Sequence, residues 1–321
     1  MKDTEYTFAV ATVRANENRL ISWQDLTAIV AARGYEECVR RLREKGYEIE
    51  GADYNAALEK KRMEAWELIE SLLPERAQFN SVLIKNDFYN LKICEKALFA
   101  NRSAEGLFIT PSVYNPGEIK AAVYSRENEK LPEQLRHADR SAYRILSKTG
   151  FGALADAVID RAALEHSIAF AKKAANPVML LFAEANAALI DIKVLYRCIL
   201  TGKARSFMER AVCECSAFSK KEIADAAESG MNDFLEFLSH TRYSGAADAL
   251  RESASEFEKY SDDLLTGIVS VGKSEAFGIS ALLGYYCGVN TEIMNLRIIL
   301  SGKLNGLPDG EIKERMRKLY V

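Results

Sequence analysis

Glu292-Ile293-Met294-Asn295-Leu296-Arg297 has two earlier counterparts in this chain. Asp87-Phe88-Tyr89-Asn90-Leu91-Lys92 repeats it closely, and Asp191-Ile192-Lys193-Val194-Leu195-Tyr196 keeps the acid and, four residues on, the leucine. Residues at i and i+4 share a helix face, so each copy sets a carboxylate one turn before an apolar anchor. Related helices about a hundred residues apart predict an all-α chain of three similar units. Their bounds are 1–104, 105–204 and 205–321. A chain triplicated in this way reads as a scaffold rather than a catalyst.

The spacing around these stretches supports the repeat. Four residues separate Leu42 from Tyr47, Leu146 from Phe151 and Leu238 from Tyr243. Tyr47 lies 40 residues before Asp87, and Phe151 lies 40 before Asp191. Gly34 to Tyr47 and Gly230 to Tyr243 are both 13. Only the third unit departs, with 49 residues between Tyr243 and Glu292.

Helix signals fill the remaining sequence. Tyr6 to Asn18 fits the helical period better than strand alternation. Ser22-Trp23-Gln24-Asp25 and Ser219-Lys220-Lys221-Glu222 are capping boxes, and Asn115-Pro116 and Asn176-Pro177 set proline at a first helical position. Asp53 is expected to cap a helix over the Leu58 to Leu72 region, and Pro74 to open a long helix reaching Asn101. Further helices are expected over Leu131 to Thr149, Gly152 to Ala174, Ala246 to Leu265 and Glu275 to Leu300. A closing amphipathic helix capped by Asp309 should use Ile312, Met316 and Leu319.

Composition narrows the function. The length of 321 residues suits two or three domains, and 48% hydrophobic with 28% charged residues is ordinary for a soluble globular protein. A net charge of −3 speaks against a phosphate-neutralising nucleic-acid surface. The most apolar window, Val178 to Ile190, contains Glu184 and is shorter than the roughly 20 residues of a spanning helix. Met1-Lys2-Asp3-Thr4-Glu5 has no basic-then-apolar pattern, so no secretory signal is expected. The six cysteines contain no C-x-x-C pair and read as buried reduced thiols; Cys213 and Cys215, taken as helical, would point apart.

Candidate chemistry is sparse. Gly267-Ile268-Val269-Ser270-Val271-Gly272-Lys273-Ser274 matches the phosphate-binding pattern G-x-x-x-x-G-K-[ST] within the longer third unit. A phosphate cradle follows a buried strand, whereas Ser253 to Leu265 reads as a solvated amphipathic helix. The bland reading is a lengthened helix connection; the rival is a nucleotide hydrolase using Lys273 and Ser274. His137, His166 and His240 are scattered and read as surface or capping residues. Asp87, Asp191 and Glu292 are expected to bond backbone amides or basic side chains within their units rather than to share a catalytic cleft. Asn90, Lys92, Asn295 and Arg297 carry the same structural expectation. No catalytic, cofactor or metal residue is assigned.

The chain resembles the C subunit of the V-type and archaeal-type rotary ATPases, the counterpart of the eukaryotic d subunit. Tyr6-Thr7-Phe8-Ala9-Val10-Ala11-Thr12-Val13-Arg14-Ala15-Asn16-Glu17 is similar to that family's tyrosine-rich opening, and Asn86 to Lys92 to its Asn-Leu-Lys signature. Gly284-Tyr285-Tyr286, Glu292 to Arg297 and Gly302-Lys303 are similar to its C-terminal signature. The resemblance implies a funnel of three similar helical domains about a pseudo-threefold axis, without catalysis. It implies a cytoplasmic central-stalk protein seated on the membrane proteolipid rotor ring and receiving the central shaft subunits. Such a protein couples ATP hydrolysis or synthesis to proton or sodium transport with no membrane insertion of its own. A generic helical adaptor is the further alternative. Val194 and Tyr196 depart from the pattern, so contacts made by Asn and a basic residue in the other copies should be missing there.

Overall fold

The computed structural model describes residues 6–51, 53–275 and 278–321. Met1–Glu5, read above as carrying no secretory signal, and residues 276–277, read as part of the last long helix, lie outside the described residues. Those described form helices, with no strand and only two isolated β-bridges, Glu50–Asp53 and Cys215–Phe218. In order they are α1 (Thr7–Glu17), α2 (Trp23–Val30), α3 (Tyr35–Glu44), α4 (Asn55–Leu72), α5 (Asn80–Phe99), α6 (Pro116–Ser125), α7 (Glu133–Thr149) and α8 (Gly152–Ala174). The chain continues with α9 (Pro177–Leu200), α10 (Arg205–Ala211), α11 (Lys220–Ser229), α12 (Met231–Ser239), α13 (Ser244–Glu252), α14 (Ala254–Ser270), α15 (Ser280–Leu304) and α16 (Asp309–Glu314). Among the described residues no helix is long and apolar enough to cross a membrane.

Local chemistry sets the boundaries. Ser22 and Ser219 form complete capping boxes with Asp25 and Glu222, satisfying donors that a helix start leaves open. Asn115 and Asn176 accept from Gly117 and Met179 N–H ahead of their prolines. The three long helices α5, α9 and α15 end alike. Asn101, Gly202 and Gly306 each take positive φ, and the next N–H (Arg102, Lys203, Leu307) returns to the carbonyl of Ala97, Cys198 or Gly302. This double turn is a Schellman ending.

Several expectations needed correction. The helix expected to open at Pro74 begins at Asn80, because proline keeps Leu73 extended and a 3-10 turn over Arg76–Phe79 follows, with Phe79 fully buried. Ala246 to Leu265 is two helices, since Ser253 is extended and accepts from Glu256 N–H, a cap signal inside what had read as one run. Asp309 is the first residue of α16 rather than its cap, and Met316 and Leu319 are buried beyond that helix's end. Cys213 and Cys215 lie in non-helical chain after α10. His166 is half-buried and stacks on Phe88, with ring centroids 5.5 Å apart. Asp53 accepts from Asn55 N–H at 3.1 Å but stands one residue before the cap position, which Tyr54 occupies.

By contact density the chain forms two compact units, one of residues 1–75 with 249–321 and one of residues 76–248. The first is organised on α15, which is buried along most of its length. Gly284 and Gly288 leave space on α15 for the ring of Tyr320, and a Cβ at either would fall within 3.0 Å of it. Gly302 leaves room for Ile312 in the same way. Trp66 of α4 meets Tyr286 edge-on at 6.1 Å. The second unit packs Ile84, Phe88, Leu91 and Cys94 of α5 against α6, α7 and α8, through residues such as Ile119, Leu135, Ile145 and Ile159. Burying each such aliphatic side chain stabilises by about 1.5–3 kcal/mol, so these cores dominate over any single polar contact.

Candidate functional site

The acids of the three repeated stretches are all buried, and each accepts from backbone. On α5, Asp87 accepts from Val113 and Tyr114 N–H, both at 2.9 Å. One turn later the Asn90 amide clamps Ile109, accepting its N–H at 2.8 Å and donating to its carbonyl at 3.0 Å. Asn86 donates to the Pro111 carbonyl at 2.7 Å. Together these side chains satisfy an irregular segment, 109–114, that has no ladder of its own.

On α15 the same pair of side chain types does equivalent work. Glu292 accepts from Ile21 N–H at 2.5 Å and from the Tyr47 hydroxyl. Asn295 accepts from Arg317 N–H at 2.7 Å and donates to its carbonyl at 3.0 Å. On α9, Asp191 accepts from Cys213 N–H at 3.1 Å and from its thiol at 3.3 Å. Val194 stands where Asn90 and Asn295 do and has no amide to offer. Glu184, two turns earlier, accepts from Ser216 N–H at 2.7 Å.

Against the repeat bounds expected from the sequence, Asp87 of 1–104 bonds residues of 105–204, Asp191 bonds a residue of 205–321, and Glu292 bonds residues of 1–104. The expectation of bonds within each repeat does not hold; by contact each acid and its partners share one compact unit. Burial pushes Asp87 up to about 6, against the pull of its two amides. It pushes Asp191 further, to about 8, where the Cys213 thiol and amide oppose it. Glu292 is also raised by burial, opposed by Tyr47 and Ile21. Each of the three spends its carboxylate on amide, hydroxyl or thiol donors of the polypeptide itself.

The other positions serve packing and surface pairing. Leu91, Leu195 and Leu296 are fully buried. Lys92 pairs with Asp160 at 2.6 Å, while Arg297 is exposed. Tyr47 and Tyr243 are buried, Tyr243 beside Phe218, but Phe151 is 41% exposed and faces Phe207 at 6.0 Å. Sequence reasoning missed Asn86, Glu184 and Tyr320. Tyr320 donates to Glu17 at 3.0 Å, and Arg14 donates to Gly272 O at 2.7 Å. The small residues at Gly284 and Gly288 were the available signal for that close approach.

The phosphate-like motif has a different geometry from a cradle. Gly267 to Ser270 form the last turn of α14 and Val271–Ser274 a 3-10 turn. The Lys273 ammonium sits 4.6 Å from the centre of the Tyr320 ring. A cradle needs successive amides converging on an anion after a strand, and helical amides point back along their own axis. Among the described residues no group of three or more His, Cys, Asp or Glu is placed to hold a metal.

Comparison with known proteins covers nearly the whole chain. The family model described as ATP synthase (C/AC39) subunit matches residues 9–315. The C subunit of the V-type sodium ATPase of Enterococcus hirae is 25% identical over 275 residues, 84% of this chain and 83% of that protein.

Proposed function

From the premise that this chain belongs to the ATP synthase (C/AC39) subunit family, we propose that it is a non-catalytic central-stalk subunit of a rotary V/A-type ATPase. In this reading it links the central shaft to the membrane proteolipid ring on the cytoplasmic face, and couples ATP hydrolysis or synthesis to proton or sodium movement. The match over residues 9–315 carries the reading. The physical support is stiffness. A rotary link transmits torque only if it does not yield, and close-packed helices are poorly compressible.

The three-unit organisation is part of the proposal. Its support is that α5, α9 and α15 share one ending and one device, a buried acid holding the backbone that opens the next third. Three such ties, the last returning to Ile21, link the expected thirds in chain order.

Pull-down of the tagged chain from native membranes in mild detergent tests the assignment. Shaft and ring subunits of one ATPase should co-purify, and deletion of the chain should release the soluble head from the membrane. Recovery of unrelated partners alone would favour the adaptor reading. Calorimetry with ATP and magnesium checks the nucleotide rival: heat abolished by Lys273→Ala would establish that rival instead.

A further inference from the structure

The outward face of α7 carries positive charge in a chain whose net charge is −3. From Arg136 onward it carries Arg136, Arg140, Arg144 and Lys148, and the one acid in that stretch, Asp139, is turned inward and buried. Arg136 is held by the Leu131 and Glu129 carbonyls and Arg140 by the Asn128 side chain, which leaves Arg144 and Lys148 as the outward charges. Arg144 and Lys148 are exposed, and neither makes an ion pair or side-chain hydrogen bond among the described residues. Tyr143, on the same face, is 46% exposed and lies under the Arg126 guanidinium at 4.1 Å.

Two residues past the end of α7 the surface becomes concave. Phe151, Leu154 and Phe207 line a cleft of about 330 Å³ with Lys203 and Arg210. The Lys203 ammonium lies 5.3 Å from the Phe151 ring centre and 5.7 Å from that of Phe207, and no carboxylate pairs with it among the described residues. Phe151 is the one aromatic of its spacing set left on the surface, since Tyr47 and Tyr243 are buried.

We propose that the α7 face and this cleft form a docking surface for an acidic polypeptide segment of another protein of the ATPase, which seats an apolar side chain in the cleft against the touching rings of Phe151 and Phe207. The proposal rests on the assignment as a rotary-ATPase subunit. Charge complementarity selects an acidic partner, and an arginine-rich row suits carboxylates, which bind guanidinium in a two-pronged fashion. The recessed rings select a protruding side chain rather than a flat lipid surface. Aromatic anchors within a pocket and arginines beside it are the usual high-energy elements of a protein interface.

The test uses the whole complex. Phe151 is replaced by the photo-crosslinker benzoylphenylalanine, the complex is purified in mild detergent, and the crosslinked peptide is identified by mass spectrometry. A crosslink to a segment of another ATPase protein with excess Asp and Glu supports the proposal. Arg144→Glu with Lys148→Glu should then lower the crosslink yield about tenfold, equivalent to about 1.4 kcal/mol, with an unchanged melting temperature. A crosslink to phospholipid, to a segment without acidic excess, or to nothing overturns it, as does a yield indifferent to the charge reversal. If the unmodified chain fails to co-purify with the other ATPase proteins, the functional assignment itself falls; co-purification without the crosslink removes the docking surface alone.

Discussion

Asp87 and Asp191 occupy corresponding places on α5 and α9, both without solvent exposure, yet they are held differently. Asp87 has two backbone amides and is pushed up to about 6. Asp191 has one amide and a thiol, a weaker donor, and is pushed up to about 8. The neighbouring position differs too: Asn90 clamps a peptide group, whereas Val194 clamps nothing. In both, burial is the largest cause of the rise; Asp191 lies deeper in the protein than Asp87, and its thiol and single amide oppose that burial less than two amides do. On α15, Glu292 is likewise raised by burial, opposed by the Tyr47 hydroxyl and the Ile21 amide.

The largest expected effect is at that third copy. Glu292→Ala strands Ile21 N–H and the Tyr47 hydroxyl in the core, and should cost about 3–5 kcal/mol in a urea titration. A loss below about 1 kcal/mol would mean that the tie adds little to the fold. Next, Asn90→Val makes α5 resemble α9 and leaves both polar groups of Ile109 unpaired, for an expected loss of about 2–3 kcal/mol. The reciprocal Val194→Asn should not stabilise, because the segment that Asp191 holds is already ordered with a valine at that position; a gain would break the comparison.

The pH dependence comes third. A carboxyl raised on folding binds its proton more tightly in the native state. Its contribution is full below the unfolded value near 3.8 and is lost as pH rises through about 8 for Asp191. Glu95 is also pushed up by burial and by Asp139, opposed by Arg126, and acts in the same direction. Stability should therefore fall between about pH 6 and 8 by up to about 1.4 kcal/mol per pH unit for each group. Asp191→Asn should remove one share of that slope and, combined with Glu95→Gln, most of it. Chemical denaturation at a series of pH values checks this, and an unchanged slope in the double variant would refute it. The smallest effect is expected from Cys213→Ser, whose stronger hydroxyl donor should draw the Asp191 titration down by about one pH unit, toward that of Asp87. Carbon-13 NMR of the labelled carboxyl would follow it.

Much of the fold was legible in the sequence because helix boundaries are written in local chemistry. The boxes at Ser22 and Ser219, the Asn-Pro pairs before α6 and α9, and Gly152 to Ala174 lie where their residues indicated. The misses have equally local causes. Ser253 was a cap concealed in a periodic run, and Pro74 ended one helix without starting the next. That Asp87, Asp191 and Glu292 hold backbone amides was also readable, although the expectation set those amides within each acid's own repeat. Their partners were not, because Ile21 lies 271 residues from Glu292 and no local pattern encodes that distance.

By itself, then, the sequence determined which segments are helices, where most of them stop, and that one acid-and-leucine pattern is used three times. Periodicity and capping act within a few residues and need no knowledge of the remaining chain. Only the tertiary structure decided which peptide each acid holds, that Tyr320 fills the space beside Gly284 and Gly288, and that Phe151 is exposed where Tyr47 and Tyr243 are buried. Those outcomes depend on which surfaces meet, and burial is a property of the packed whole rather than of any stretch within it.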